Sequence, residues 1–308
     1  MSSLSDFKAP NVSDFKASNA TYKPSYLPVA VFVGGTSGIG RGTAEALARY
    51  TGGNAHIILI GRNASAAASI LDSFPKPAST ESGWKHEFVE CDVSLIKNVN
   101  TTLSTLVPRL PRINFLVVTC GIFSFADRDE TSEGLDRKMA VTYYARAAFM
   151  LKLLPSVAAA HAKGEDASVL NVLAAGHGTP VEIDNLGLKR GYTGQRAMGE
   201  TVTYIDLLNE ELALQNPGVA FTHTYPGFID TPIARTAAGL IGLDIATAGN
   251  ITDAGETTLY ALLTATPGVQ LKGDHAEAVA TPPAHGHGSS AESKALLAHT
   301  EEIVKANA

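Results

Sequence analysis

Six short apolar runs punctuate the chain, at residues 29–33, 56–60, 86–89, 115–118, 169–172 and 219–222. Each is too short for an ordinary helix. Most are rich in Val, Ile or Phe and apolar without alternation, as strands covered on both faces are. Longer segments of helical character, including 43–50, 135–154 and 197–214, lie between them. Strand and helix alternating every ~30 residues predict an α/β fold, a doubly wound parallel sheet with helices on both faces.

After Pro226 the pattern loosens. Residues 233–248, rich in Ala, Gly and Thr, predict a weakly amphipathic mobile lid, with 250 as its outer limit. A helix is expected at 253–264, a loop at 281–290 around Pro282, Pro283, His285 and His287, and a last helix at 291–305. No second hydrophobic core is visible, so the chain divides into an arm (1–28), one domain (29–265) and a C-terminal loop and helix (266–308). In the arm, Ser5-Asp6-Phe7-Lys8-Ala9 recurs as Ser13-Asp14-Phe15-Lys16-Ala17 without an apolar stripe, and Pro24 and Pro28 stop any helix running onward. Two copies do not make a solenoid. The arm is expected on the protein surface or on a partner subunit.

Composition narrows the function classes. With 45% hydrophobic and 18% charged residues in 308, one large core is affordable and a mainly disordered chain is excluded. A net charge of −6 without a Lys/Arg cluster argues against nucleic acid as a partner. No apolar run approaches the roughly 20 residues that span a bilayer, and the N-terminus lacks the succession of a secretory signal. Cys91 and Cys120 make no disulfide framework. A soluble cytoplasmic protein, without membrane contact, is the expectation. His285 and His287 have no Cys or carboxylate nearby at ligand spacing, so no metal site is expected.

The strongest local signal is Val33-Gly34-Gly35-Thr36-Ser37-Gly38-Ile39-Gly40, directly after the first strand and leading into a helix near Arg41. Glycines there permit a tight turn and a close backbone approach, and a helix N-terminus offers free N–H groups to a pyrophosphate. A bound nucleotide is therefore expected.

The spacing G-x-x-x-G-x-G resembles that of the short-chain dehydrogenase/reductase family, a Rossmann-like fold, and the resemblance runs over about residues 29–265. It implies that Asp92 and the adjoining Val93 meet the adenine, and that Pro226-Gly227, with Ile229 and Thr231, lies beside a nicotinamide. Thr119-Cys120-Gly121-Ile122 stands where the family usually carries Asn-Asn-Ala-Gly, with only the Gly retained. After the second strand the turn reads Ile60-Gly61-Arg62-Asn63, without the acid that would hold a ribose 2′-hydroxyl. Arg62, with Arg41 as a second cation, suits a 2′-phosphate, so NADP(H) is the expected cofactor.

The family's catalytic pattern is broken. Its Tyr falls on Tyr192, but the residue four later is Arg196 rather than Lys; its Ser falls on Ala174 or Leu173; its relay Asn falls on Thr142. An arginine can stabilise a phenolate but cannot pass on its proton. Counting back from Pro226 leaves about two more residues than the family's interval, so Tyr192 and Arg196 read equally as structural residues. His177, at the carboxyl edge of the sheet, is a further acid–base candidate. Tyr143 and Tyr144 are placed to reach the pocket from the long helix.

The resemblance implies an NADPH-dependent reductase of a carbonyl or enone on a small, largely apolar substrate. It also implies a homodimer or homotetramer formed through 135–154 and 197–214. The alternative is a non-redox cyclase or isomerase, or a cofactor-binding pseudoenzyme, on the same fold.

Overall fold

A computed structural model describes residues 11–79, 83–280 and 291–307. The six expected strands form at β1 (Val29–Val33), β2 (His56–Gly61), β3 (Lys85–Glu90), β4 (Phe115–Val118), β5 (Ser168–Val172) and β6 (Ala220–Thr224). A seventh, β7 (Gly268–Lys272), joins them, giving an all-parallel sheet in the order β3-β2-β1-β4-β5-β6-β7. The order reverses beside β1, which pairs with β2 on one side and β4 on the other, so a crevice opens at the carboxyl ends of β1 and β4.

Period-two geometry sends alternate residues of each strand to opposite faces. Val31, Val33, Ile58, Ile60, Leu116 and Val118 face α4 (Ile96–Leu106), α6 (Ala145–His161), α7 (Gly194–Gln215) and α10 (Ala291–Ala306). Phe32, Ile57, Leu59, Val117 and Leu170 face the other core, built on α2 (Gly38–Tyr50), α3 (Ala64–Ser73) and α9 (Ile251–Leu263). Both layers are apolar, which explains the near-continuous apolar runs of the central strands β1, β2 and β4.

The arm is more closely integrated than its sequence suggests. Val12–Asn19 forms helix α1, closed by a reciprocal cap between Asn11 and Asp14. Phe15, from the second copy of the repeat, is buried against Tyr260 of α9, and Asn19 Nδ2 donates to Glu256 Oε2 at 2.8 Å. The first copy, 5–9, lies outside the described residues, as does the whole 281–290 loop with His285 and His287.

The segment expected as a mobile lid contains a capped helix, α8 (Pro232–Ile241). Thr231 Oγ1 accepts from the Ala234 N–H, and Gly242 ends the helix in the left-handed conformation. The long helix after β4 is composite: a short α5 (Arg137–Met139), a π-helical turn (Ala140–Tyr144), then α6. Tyr143 and Tyr144 do not reach a pocket. They point at α10, bonding Thr300 at 2.6 Å and His299 at 2.7 Å. Cys91 and Cys120 are free thiols, both buried. Among the described residues, no helix is long and apolar enough to cross a membrane, and no cluster could hold a metal ion.

Candidate active site

A cavity of about 460 Å³ occupies the carboxyl edge of the sheet. Gly34, Thr36, Ser37, Gly38 and Ile39 line its β1–α2 side; Arg62, Asp92 and Val93 line the end reached by β2 and β3. Cys120 and Gly121 form its floor after β4, and Pro226, Gly227, Ile229 and Thr231 close it after β6. These sequence-predicted residues converge on one space.

The turn after β1 is held open by its glycines. Gly34 has φ +90°, and a Cβ there would sit 2.6 Å from Thr119 Oγ1. Gly40 does not line the cavity. A Cβ on it would approach Thr119 Oγ1 to 2.4 Å and the Gly34 carbonyl to 2.7 Å, so its role is to let α2 close on the turn. Ser37 begins α2 without a side-chain cap, and the first backbone bond of the helix is Arg41 N–H to the Ser37 carbonyl at 3.2 Å. The amides of Gly38, Ile39 and Gly40 ahead of it are thus free to meet an anion. The chemistry of a pyrophosphate fits this donor set.

Of the two cations expected near a nucleotide, only Arg62 lines the cavity. It is exposed and makes no ion pair with the described residues. Arg41 is turned outward to Glu45 at 2.7 Å, and Asn63 is occupied in capping α3 through the Ala66 N–H at 2.9 Å. Asp92, in the cavity wall, accepts from Ser94 N–H at 3.0 Å on one carboxylate oxygen, and its other oxygen has no hydrogen-bond partner among the described residues.

The chemical end is arranged differently from the sequence expectation. Tyr192, Arg196 and His177 are not among the cavity-lining residues. The Tyr192 ring lies 5.8 Å from Lys138 Nζ and 6.0 Å from the Arg128 guanidinium. Burial, reinforced by the Asp136 carboxylate, pushes its phenol well above the usual range, the reverse of what proton exchange near neutrality needs. Arg196 is clamped between Glu200 at 2.7 Å and Glu182 at 2.9 Å. His177 is exposed, with its ring 4.7 Å from that of Tyr225.

For Arg196, helical phase accounts for this. Met198, Thr201 and Val202 are the residues α7 turns to the cavity. Met198 is two residues beyond Arg196, about 200° of helix rotation. The surplus of about two residues counted back from Pro226 was the available signal for that rotation.

Thr142, by contrast, does line the cavity. It is 5% exposed and its hydroxyl oxygen has no hydrogen-bond partner. It belongs to the π-helical turn, a distortion frequent at functional sites. One turn on, Arg146 also lines the cavity. It is 1% exposed, donating to the Cys120 carbonyl from Nε at 3.0 Å and from Nη2 at 2.5 Å, and to the Val118 carbonyl from Nη1 at 3.1 Å. Sequence reasoning did not single it out, although it is the one charge between Lys138 and Lys152.

Also unanticipated is a buried pair behind the β5 loop. The Ala174 N–H donates to His223 Nε2 at 3.2 Å, which leaves the proton on Nδ1, facing Asp206 at 2.5 Å. This fixes the cavity-lining Ala174.

The short chain dehydrogenase family model matches residues 28–183. An oxidoreductase of Emericella nidulans is 34% identical over 71% of this chain and 63% of its own length. An oxidoreductase of Emericella variicolor is 31% identical over 75% and 66%. The matched stretch therefore spans less than two thirds of the length of these relatives. A similar fold is found in an NADPH-bound carbonyl reductase from chicken fatty liver, with a TM-score of 0.62 at 14% identity over 83% of this chain and 99% of that one. Seven parallel strands in this order, the glycine turn at their carboxyl edge and the family match over half the sequence agree: the chain belongs to the short-chain dehydrogenase/reductase family of oxidoreductases.

Proposed function

We propose that the protein is an NADP(H)-dependent reductase of a carbonyl or enone on a small, largely apolar organic substrate. The observation that carries this reading is Arg62, an exposed guanidinium without an ion-pair partner among the described residues, at the end of a cavity whose other end is apolar. The free amides at the start of α2 would hold the pyrophosphate, Arg62 the 2′-phosphate, and Asp92 the adenine end. The nicotinamide, when bound, supplies hydride.

Ile122, Phe123, Val202, Phe228 and Ile233 form walls suited to an apolar substrate, the last of them from α8, which covers the site. Hydride transfer depends chiefly on such positioning and on the exclusion of water. No Tyr, His or Lys is among the cavity-lining residues. A proton would then come from water, with the Thr142 hydroxyl passing it on by accepting one hydrogen bond while donating another. Tyr192, Arg196 and His177 have no part in this scheme.

A second reading, a nucleotide-binding protein without redox chemistry, draws support from the distance of Tyr192 and Arg196 from the cavity. Calorimetric titration with NADPH and NADH, with Arg62→Ala alongside, tests the first reading. NADPH should bind more tightly than NADH, and Arg62→Ala should weaken NADPH by about tenfold or more, the scale of a lost charge-assisted bond. Absence of binding by either nucleotide would sink the reductase. Binding without NADPH consumption across a panel of aldehydes, ketones and enones would favour the second reading.

A further inference from the structure

Arg146 is an unusual group to find at the bottom of an apolar pocket. A buried guanidinium is costly unless paired, and pairing normally means a carboxylate. No carboxylate lies within ion-pair distance of Arg146 among the described residues. Its acceptors are neutral: the Cys120 and Val118 carbonyls and, at 3.5 Å, Asn171 Oδ1.

A guanidinium has five N–H donors, and these contacts leave one on Nη2 without an acceptor. Nη2 stands 3.8 Å from where a Cβ of Gly121 would be, so the absent side chain of that cavity-floor residue leaves the approach open. Thr142, one turn earlier on the same helical face, contributes a second unused group, its partnerless hydroxyl. A charge without a counter-charge and a hydroxyl without a partner thus line one cavity.

We infer that Thr142 and Arg146 form an anchoring subsite for an anionic oxygen, and that the cavity takes apolar organic molecules bearing a carboxylate or an equally ionised enol. This deepens the reading above by naming a substrate class. It rests on the cavity being the substrate site and not on the NADP(H) preference. The anion completes the Arg146 hydrogen-bond set and neutralises its charge, and the hydrocarbon part fills the space between Phe123, Val202 and Phe228. An uncharged ligand of the same shape leaves the guanidinium uncompensated.

The test compares 3-phenylpropionate with 3-phenylpropionamide, isosteric and differing in charge, by calorimetry on the full chain with and without saturating NADP⁺. The carboxylate should bind at least about tenfold more tightly, as expected for a charge-assisted pair of bonds. Arg146→Met should erase the preference. Thr142→Val, which removes only a partnerless hydroxyl, should raise the melting temperature while weakening the carboxylate several-fold, a combination that a purely structural Thr142 would not give. Equal affinity for acid and amide, binding of neither, or a preference surviving both substitutions would overturn the inference. If Arg146→Met does not fold, Thr142→Val decides alone. Retained acid preference without NADP⁺ binding would remove the reductase reading and leave this one standing.

Discussion

Two helices that line the same cavity, α2 and α7, differ in how firmly the sequence pins them. α2 enters through the turn 34–40, where covalent constraint is dense: Gly34 at φ +90°, Gly38 at φ +54°, and Gly40 so close to the Gly34 carbonyl that a methyl would collide. α7 enters after the loop between β5 and Thr193, whose side chain caps it through the Arg196 N–H at 3.0 Å. A cap fixes where a helix starts. It does not fix which face the helix shows to a pocket, and a shift of two residues turns that face almost to the opposite side. The first helix is set by local chemistry, the second by the packing of its buried face and by the Arg196–Glu182 pair to the preceding loop.

The largest effect is expected where constraint is densest. Gly40→Ala should cost about 1–3 kcal/mol of stability by overpacking, because its nearest neighbour beyond Thr119 is backbone. It should also abolish nucleotide binding by separating α2 from the turn. Chemical denaturation and NADPH titration of the variant measure both. A variant of wild-type stability and affinity would mean that the turn has slack and that the contrast with α7 is false.

A smaller effect is expected at α7. Tyr192→Phe should cost about 0.5–1.5 kcal/mol, the scale of one hydrogen bond, and leave NADPH affinity and NADPH consumption unchanged, because the phenol is turned away from the cavity. Met198→Lys, on the facing side, should alter nucleotide affinity, whereas Arg196→Ala should not. If Tyr192→Phe lowers turnover while Met198→Lys is silent, the helix is rotated in the working protein and the sequence register was right.

The same division separates what was legible in the sequence from what was not. β1, β2 and β4 stood out because both faces of each are buried and nearly every position is apolar, whereas β3, an edge strand, is only partly buried and β5 and β6 are buried but carry Ser, Asn, Thr and His. β7 escaped notice because it pairs only with β6 and Gly268, Val269 and Gln270 are partly exposed, which leaves Gly-Val-Gln-Leu-Lys without a continuous apolar run. The cavity wall after β1 was legible because backbone conformation is written in glycines. Arg41 and Asn63 lie off the cavity because an arginine in a helix can turn outward to a carboxylate and an asparagine beside a helix start can cap it. Arg146 was a visible anomaly, the one charge between Lys138 and Lys152, but its meaning depends on Val118 and Cys120, far away in sequence.

The finest test concerns a flank of α7 that does not line the cavity. Glu200 is fully buried at its side chain, accepting from Arg196 Nε at 2.7 Å and from the Tyr204 hydroxyl at 3.2 Å. Burial pushes its carboxyl above the usual range, against the opposing pull of Arg196. The folded state therefore holds the Glu200 proton more tightly than the unfolded chain does. The sign follows from linkage: this contribution to stability is complete below the ordinary carboxylate value of about 4.3 and is lost as pH rises through the higher folded value. Glu200→Gln, which stays uncharged, should remove that decline and shift stability at neutral pH by no more than about 1 kcal/mol. Denaturation midpoints between about pH 4 and 7 measure the slope. A slope that survives in the variant would belong to another group, and Glu200 would then hold no raised carboxyl in the folded protein.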